Sequence, residues 1–267
     1  MAGTATRKAS SKAPSKSLRI LISNDDGIQS PGIKALTRVA QLLSDDVWVV
    51  APEVEQSAAS HSLTVRRPLR VKKLAPRRFA VDGTPTDCVM LAVLQILEDK
   101  APDLVLSGFN NGSNLAEDIA HSGTVAAASM GAVLGIRAMA LSQVTTQGQK
   151  TKWTTAETLA PDLIRKLLRM SWAGDSLINV NFPDLVTASV KGVTVTHQGR
   201  RRVRETITQS SDPFGRPYYW IGGPRTEKSA SKVSDITAIN ECCVSVTPLR
   251  LDLTQEKMLR NMRKALG

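Results

Sequence analysis

The chain has 267 residues, of which 42% are hydrophobic and 22% charged, and its formal net charge is +11. This balance is typical of a protein with a packed core and excludes a collagen-like or disordered chain. The longest weakly polar run, residues 125–136, is shorter than the roughly 20 apolar residues that a membrane-spanning helix needs. Because residues 1–17 contain no apolar run, we expect no signal peptide and a soluble, cytoplasmic protein.

The charge and the cysteine content indicate which partners and which structural cross-links are compatible with the chain. The 35 basic and 24 acidic residues suggest nucleic-acid binding as one hypothesis. Part of this charge lies in the Ser/Ala/Lys-rich segment 1–17, which we interpret as a disordered basic arm. Aromatic residues make up only 4% of the chain, which disfavours a surface that stacks single-stranded bases. The three cysteines favour neither a disulfide framework nor a zinc site.

The predicted elements alternate between strands and helices. In chain order we expect a strand at 18–23, a helix at 31–43, a strand at 47–51, extended pieces at 61–65 and 69–72, a helix at 86–98, a strand at 104–107, a helix at 124–134, a strand at 138–142, a helix at 155–170, strands at 177–182, 193–196 and 244–247, and a helix from about 254. Ser30 and Thr86 are the candidate caps of the first two helices. This order predicts a three-layer, Rossmann-like α/β fold with a mainly parallel sheet and helices on both faces.

The chain after the arm is predicted to form one domain, residues 18–267. Within it, residues 199–234 are polar and contain the aromatic run Tyr218, Tyr219 and Trp220, so we expect a β-hairpin excursion there. Residues 254–267 are predicted to form a basic C-terminal helix.

Polar residues follow three of the predicted strands at the point where each strand ends. Asn24, Asp25 and Asp26 follow the first strand, Ser57 follows the second, and Asn110 follows the strand at 104–107. In an open parallel sheet, ligands bind beyond the carboxyl ends of the strands. Adjacent carboxylates repel each other unless a cation or firm hydrogen bonds hold them, and carboxylate, hydroxyl and amide oxygens suit Mg²⁺, Mn²⁺ or Ca²⁺. The alternative is that the aspartates only cap the following turn.

A second candidate site lies at residues 121–124, where hydroxyl groups and backbone N–H groups open a helix. This is typical of an anion site, although an ordinary helix cap is the alternative. Other motifs are absent. No Gly-x-Gly-x-x-Gly follows the first strand, no Gly-x-Ser-x-Gly elbow occurs, and the segment 27–34 lacks the Lys-Ser/Thr pair of a phosphate-binding loop.

Taken together, these motifs resemble the SurE family of metal-dependent nucleotidases. The matching stretches follow one another in family order and are ILISNDDGIQSPG at 20–32, the Gln-Ser pair at 56–57, HSLTVRRPL at 61–69, GTPTDCV at 83–89, SGFNNGSN at 107–114, SGTVAAA at 122–128, NVNFP at 179–183 and VSVTPLRLDLT at 244–254. They extend over nearly the whole chain after the arm.

The resemblance implies one divalent metal ion per subunit, Mg²⁺ or Mn²⁺, with Ca²⁺ as a substitute in crystals. The implied metal ligands are Asp25, Asp26, Ser57 and Asn110. The residues implied to face the substrate phosphate are Asn24, Ser107, Gly108, Asn114, Ser122, Gly123 and Thr124. Asp25 and Asp26 are also the candidate catalytic residues, and we assign to Asp26 the proton of the attacking water.

The implied activity is hydrolysis of nucleoside 5′-monophosphates to nucleoside and phosphate. Nucleoside 3′-monophosphates and short polyphosphate are further candidate substrates. The implied partners are the nucleotide and further copies of the chain, in a homodimer or homotetramer built through residues 199–223 and the terminal helix, with no membrane partner. The alternative is that both of these segments pack on their own subunit. Met130, Ala58 and the pair Cys242-Cys243 depart from the family pattern and leave rate and substrate preference open.

Two competing hypotheses belong to other classes. One is a nucleic-acid-binding protein that uses the basic arm and residues 200–204 beside a degenerate metal site. An intact set of hard oxygen ligands disfavours it. The other is a phosphatase of a non-nucleotide metabolite, which a panel of phosphomonoesters would distinguish.

Overall fold

The structure is a computed structural model that describes residues 18–146, 148–201, 207–221 and 231–267. In these ranges the strands are β1 (Arg19–Ser23), β2 (Asp46–Pro52), β3 (Val71–Ala75), β4 (Arg78–Val81), β5 (Leu104–Asn111), β6 (Arg137–Gln143), β7 (Ser176–Phe182), β8 (Gly192–Val195), β9 (Ile207–Ser211), β10 (Pro217–Ile221) and β11 (Cys243–Arg250). The α-helices are α1 (Pro31–Gln41), α2 (Pro85–Leu91), α3 (Gly123–Val133), α4 (Trp153–Leu168), α5 (Asp235–Asn240) and α6 (Glu256–Leu266). The predicted basic arm lies outside the described residues.

Nine strands form one sheet in the order β3-β4-β2-β1-β5-β6-β7-β11-β8. In the run β4-β2-β1-β5-β6-β7 of this order, each strand is parallel to the next one. The strand β11 is parallel to β8. Among the described strands of this sheet, only β3 with β4 and β11 with β7 pair antiparallel. The predicted mainly parallel sheet is therefore confirmed, and the carboxyl ends of β1, β2 and β5 lie at one edge.

Helices cover both faces of this sheet, as the uninterrupted apolar strands predict. Ile20 and Ile22 of β1 pack in a core that contains the buried faces of α1 and α4. Leu21, between them, packs in a second core formed with α2 and α3. Because successive side chains of a strand point to opposite faces, one short strand contributes to both cores.

The start of α1 is as predicted, whereas the start of α2 is not. Ser30 Oγ accepts a hydrogen bond from the backbone N–H of Ile33, and Pro31 occupies the first helical position. Thr86 does not cap α2. Thr84 does, in a capping box in which Asp87 binds back to the Thr84 backbone N–H. The reciprocal bond from Asp87 determines which threonine is the cap. The α-helix α2 ends at Leu91, and a π-helical segment at Ala92–Ile96 continues it to within two residues of the predicted end.

Two further regions differ from the prediction. Residues 61–65 form no strand, and the extended chain is instead the hairpin of β3 and β4. The helix α5 was not predicted, because six residues are too few to show a helical period. Ser234 caps it, since its Oγ accepts from the backbone N–H of Thr237.

The expected hairpin excursion is present as β9 and β10, which pair antiparallel as a separate two-stranded sheet. Every residue of both strands is exposed. The predicted terminal helix is α6, and it also has no buried residue. Among the described helices, none combines the length and the apolar character that crossing a bilayer would require. The predicted basic run 200–204 falls partly outside the described ranges.

Candidate active site

The turn after β1 fixes the position of the two aspartates. Asn24 is fully buried, and its Nδ2 donates to the backbone oxygen of Gly27 at 3.0 Å and to Ser30 Oγ at 2.9 Å. Gly27 has φ +89°, a left-handed conformation in which glycine carries no steric penalty. The side chain of Asn24 therefore ties the turn to the start of α1, with Asp25 and Asp26 at the carboxyl edge of the sheet.

Asp25 lies against the N-terminus of α3. The hydroxyl of Thr124 donates to Asp25 Oδ1, and Asp25 is 5% exposed. A Cβ atom at Gly123 would lie 2.7 Å from the Cβ of Asp25, so only glycine allows this approach. Ser122 caps the helix by accepting from the backbone N–H of Val125 at 3.0 Å. The predicted helix start and the predicted carboxylate thus meet in one cluster.

The loop after β2 and the last residues of β5 complete the cluster. The backbone N–H of Asn111 donates to Asp26 Oδ2 at 3.0 Å. The backbone N–H of Gln56 donates to the backbone oxygen of Asp25 at 2.8 Å, and Ser57 Oγ donates to Glu55 Oε1 at 2.8 Å. Four segments distant in sequence therefore converge: the turn after β1, the loop after β2, the end of β5 and the start of α3.

Burial and like charge raise the pKa values of both aspartates. Burial raises the pKa of Asp25, and the hydrogen bond from Thr124 opposes this effect in part. Burial, followed by the charges of Asp25 and Glu55, raises the pKa of Asp26 to about 6, while the Asn111 N–H acts in the opposite direction. A nearby cation would reverse these shifts, because opposite charge favours the ionised carboxylate.

Other predicted site residues lie at the same edge of the sheet. Ser57 is exposed, and Asn110 Nδ2 donates to the backbone oxygen of Gly112 at 3.0 Å. Ser107 is fully buried, and its hydroxyl has no hydrogen-bond partner within the described part of the chain. Gly108 has φ +132°, and a Cβ there would lie 2.1 Å from the backbone oxygen of Leu141. The functional roles of these residues stay predictions.

Asn114 is held by the neighbouring strands. Its backbone N–H donates to Asn181 Oδ1 at 2.8 Å, and its Nδ2 donates to Ser142 Oγ at 2.8 Å. Its backbone oxygen accepts from Asn179 Nδ2 at 2.8 Å and from Asn181 Nδ2 at 3.2 Å. Asn114 thus anchors the loop after β5, and its predicted contact with phosphate is not tested by these bonds.

The donor set fits a hard divalent cation. Within the ranges that the structure describes, no three His, Cys, Asp or Glu side chains gather as a metal site, so a zinc-type cluster does not occur there. Two adjacent carboxylates with serine and asparagine oxygens nearby instead suit Mg²⁺ or Mn²⁺. The charges of Asp25 and Glu55 contribute to the raised pKa of Asp26, and a cation at this position would relieve that repulsion.

Sequence reasoning missed several members of the site. Glu55 lies in the same stretch as Ser57 but carries no pattern that distinguishes it from a solvated acid. The N–H of Asn111 is a backbone group, which leaves no signal in a sequence. Asn179 and Asn181 belong to the NVNFP motif, whose buried asparagines in a strand were a usable signal.

The fold and this cluster define a class: three-layer α/β proteins with an acidic, oxygen-rich site at the carboxyl edge of a parallel sheet. The model of the family described as Survival protein SurE matches residues 20–205. The protein named 5'-nucleotidase SurE from Paramagnetospirillum magneticum is 55% identical over 95% of this chain and 97% of its own length. Its namesake from Parvibaculum lavamentivorans is 50% identical over 96% and 94%.

A solved structure agrees with this match. The crystal structure of the SurE protein from Aquifex aeolicus superposes with a TM-score of 0.82 at 40% identity, and the alignment covers 93% of this chain and all of that one. The chain therefore belongs to the SurE family.

Proposed function

We propose that this chain is a 5′-nucleotidase, which hydrolyses nucleoside 5′-monophosphates to nucleoside and phosphate with one divalent metal ion, Mg²⁺ or Mn²⁺. Family membership and the 5'-nucleotidase name of relatives 50–55% identical over most of the chain support the activity. The single observation that carries the proposal is the packing of Asp25 against Gly123 and Thr124 at the start of α3. This packing supports the proposal, because it would place the proposed cation site beside the proposed anion site, as metal-assisted cleavage of a phosphate ester needs.

The proposed metal ligands are Asp25, Asp26, Ser57 and Asn110. When bound, the metal ion would supply positive charge that polarises the phosphoryl group and activates water. The side chains would have separate tasks. Asp25 is buried and held by Thr124, so it would serve as a fixed ligand. One oxygen of Asp26 accepts from Asn111, and we assign to its other oxygen the proton of the attacking water.

The phosphate would lie at the N-terminus of α3. Backbone N–H groups and the helix dipole at Ser122, Gly123 and Thr124 favour a negatively charged group there. These donors would stabilise the charge that develops on the phosphoryl oxygens. The supporting residues proposed around the phosphate are Asn24, Ser107, Gly108 and Asn114.

The range of substrates, the cellular location and the oligomeric state are also proposals. Nucleoside 3′-monophosphates and short polyphosphate are further candidate substrates of the same site. We place the enzyme in the cytoplasm as a homodimer or homotetramer, with residues 1–17 as an arm on a single domain, 18–267. The fully exposed hairpin and α6 support assembly, because both expose apolar side chains that another copy could cover.

The test is phosphate release from AMP, GMP and glycerol 3-phosphate with Mn²⁺, Mg²⁺ or EDTA. We expect metal-dependent release that favours the nucleotides and falls by about 10³-fold in Asp25→Asn. Asp162→Asn is the matched control. The Asp162 side chain is 82% exposed on α4, which covers the face of the sheet opposite to α3, so this substitution should leave the rate unchanged. A folded wild type that releases no phosphate with any metal would overturn the proposal.

A further inference from the structure

Asp235, the first residue of α5, is a fully buried carboxylate outside the proposed metal site. Its Oδ2 accepts a hydrogen bond from the backbone N–H of Ala116 at 2.9 Å. Its Oδ1 accepts from the backbone N–H of Gly199 at 2.8 Å and from that of Ile236 at 2.7 Å. A Cβ atom at Gly199 would lie 2.5 Å from Asp235 Oδ1, so this approach needs glycine. The carboxylate therefore joins α5, the loop after β5 and the segment after β8.

Ala116 has a backbone conformation that alanine rarely adopts. Its φ is +51°, in the left-handed region, where the Cβ of any residue other than glycine is crowded. Its N–H binds Asp235, and its backbone oxygen accepts from Gln198 Nε2 at 2.8 Å. Residues in such conformations persist only where the surrounding contacts hold them. Asp235 and Gln198 supply such contacts on the two sides of Ala116.

The neighbours of Ala116 are bound to the same segments. The Arg201 side chain is 8% exposed, and its Nη1 donates to the backbone oxygen of Leu115 at 2.9 Å. Its Nη2 donates to Asp118 Oδ2 at 2.7 Å. Leu115 and Ala116 also pack with Ile236 in a small apolar cluster. This part of the loop is therefore held by α5 on one side and by the segment after β8 on the other.

The anchored part of the loop leads directly into the proposed phosphate site. Residues Ala116–Ala120 form a short 3-10 helix. His121 alone separates it from Ser122, the cap of α3. The backbone N–H of His121 donates to the backbone oxygen of Asp118 at 3.0 Å, so the turn between the two helices is itself hydrogen-bonded. A shift of Ala116 would therefore be transmitted to the N-terminus of α3, where the proposed phosphate donors lie.

We propose that Asp235 is a positioning residue for the phosphate end of the active site. It holds Ala116 in its left-handed conformation and thereby fixes where α3 presents its N–H groups. This inference rests on the proposed nucleotidase function and deepens it. Among the described residues, the hydrogen-bond partners of Asp235 include none of the proposed metal ligands, so its effect falls on phosphate binding and not on metal binding.

Asp235→Asn tests the proposal, because it keeps the shape of the side chain. Since Oδ1 accepts two bonds and Oδ2 one, the amide oxygen takes the Oδ1 position, and the amide NH₂ faces the N–H of Ala116. Two donors form no hydrogen bond. We expect kcat/KM for AMP to fall about tenfold and the inhibition constant of inorganic phosphate to rise by a similar factor. The affinity for Mn²⁺, measured by electron paramagnetic resonance, should stay as in the wild type.

Adding Ala116→Gly separates positioning from a general loss of stability. Glycine adopts a positive φ without a steric penalty, so it depends less on support from Asp235. In the double variant Asp235→Asn/Ala116→Gly, kcat/KM for AMP should return to within about threefold of the wild-type value. Hydrogen–deuterium exchange at residues 115–124, a readout independent of activity, should be faster in Asp235→Asn and slower again in the double variant.

Two further variants complete the experiment. Gly199→Ala moves the carboxylate without changing its charge, and it should lower kcat/KM and leave Mn²⁺ affinity unchanged, also if Asp235→Asn does not fold. Asp45→Asn is the matched control, because Asp45 is exposed and lies before β2, at the edge of the sheet opposite to the site. It should leave all of these quantities at their wild-type values.

The outcomes separate the two proposals. If the wild type releases no phosphate from AMP with any metal, the nucleotidase function fails, and the positioning role falls with it. If the wild type is active but folded Asp235→Asn and Gly199→Ala keep its kcat/KM, only the positioning role is wrong. A loss that comes with equally weaker Mn²⁺ binding, or that Ala116→Gly does not reverse, would also overturn it, because Asp235 would then support the fold in general.

Discussion

At the scale of single residues, the contact between Gly123 and Asp25 links the helix to the carboxylate. Alanine favours a helix more than glycine does, so a glycine-to-alanine change at an open helix position would add stability. At Gly123 the added Cβ would lie 2.7 Å from Asp25 Cβ, and real Cβ atoms do not approach so closely. Either Asp25 or the start of α3 must move.

We therefore expect Gly123→Ala to lower kcat/KM for AMP by about 10²-fold, because catalytic groups lose their positions. Gly174→Ala is the matched control, since no atom lies within 4 Å of the position that its Cβ would take and its φ is not left-handed. Steady-state kinetics and a thermal unfolding scan of both variants make the comparison. Wild-type activity in Gly123→Ala would contradict the packing described for Asp25.

A second residue-scale prediction concerns pH and the Arg19 cluster. Burial alone would raise the pKa of Asp46, but hydrogen bonds from Arg19 and Trp48 outweigh it and hold the pKa below its ordinary value. Arg19 also binds Asp99, and this bond lowers the pKa of Asp99. A carboxylate with a lowered folded-state pKa stabilises the fold above its unfolded pKa of about 3.9 and loses that contribution as the pH falls.

As the pH falls from about 5 to about 3, these two carboxylates should lose their stabilising contribution, and Asp46→Asn should reduce the size of that loss. The raised pKa values of Asp25 and Asp26 act in the opposite direction in both proteins, so the difference between wild type and Asp46→Asn is the quantity to compare. Urea unfolding of both proteins at several pH values measures it. Asp162→Asn, with its mostly exposed carboxylate, should keep the wild-type dependence. An unchanged pH dependence in Asp46→Asn would show that the Arg19 cluster does not contribute.

At the scale of elements, β7 positions the loop that follows β5. Asn179 and Asn181 are fully buried and bind the backbone of Asn114 from two directions. Asn110 and Asn111, whose N–H holds Asp26, are the last two residues of β5 and lie directly before this loop. The positions of the residues in the candidate metal site therefore depend on a strand, β7, that contributes none of the proposed ligands.

Asn181→Ala removes both the acceptor for the Asn114 N–H and one donor to its backbone oxygen. We expect the free energy of unfolding to fall by about 1–3 kcal/mol, the cost of a buried polar group left unpaired. We also expect weaker Mn²⁺ binding, measured by electron paramagnetic resonance on folded protein. Gln149→Ala, in an exposed loop, should change neither quantity. Unchanged Mn²⁺ affinity in folded Asn181→Ala would leave Asn181 with a structural role only.

At the scale of the whole molecule, the chain presents more apolar surface than one subunit can cover. The hairpin exposes Ile207, Trp220 and Ile221, and α6 exposes Met258 and Leu266. An isolated two-stranded hairpin is at best marginally stable, so a partner surface over these elements would stabilise them. This exposure supports the proposed homodimer or homotetramer.

Removal of residues 254–267 should lower the number of subunits in the assembly, because α6 would no longer cover a second copy. Light scattering after size-exclusion chromatography measures the mass. A matched variant that replaces exposed Lys257 with alanine keeps α6 and should keep the wild-type mass. A monomeric wild type would contradict the proposed assembly.

The sequence by itself determined the parts that depend on local chemistry. The apolar strands alternating with helices predicted the layered α/β fold, and Ser30 with Pro31 predicted the start of α1. Polar residues at strand ends located Asp25 and Asp26, because parallel strands bring their carboxyl ends to one edge. Local pattern was less reliable where two similar residues compete, as Thr84 and Thr86 do at the start of α2.

Only the tertiary structure decided which distant groups meet. The close approach of Gly123 to Asp25, the bond from the Asn111 N–H to Asp26 and the hold of Asn181 on Asn114 join segments far apart in the chain. None of these contacts leaves a periodic or local signal, because each depends on how strands and helices pack. The same reason applies to Asp235, whose carboxylate joins several separate stretches of sequence.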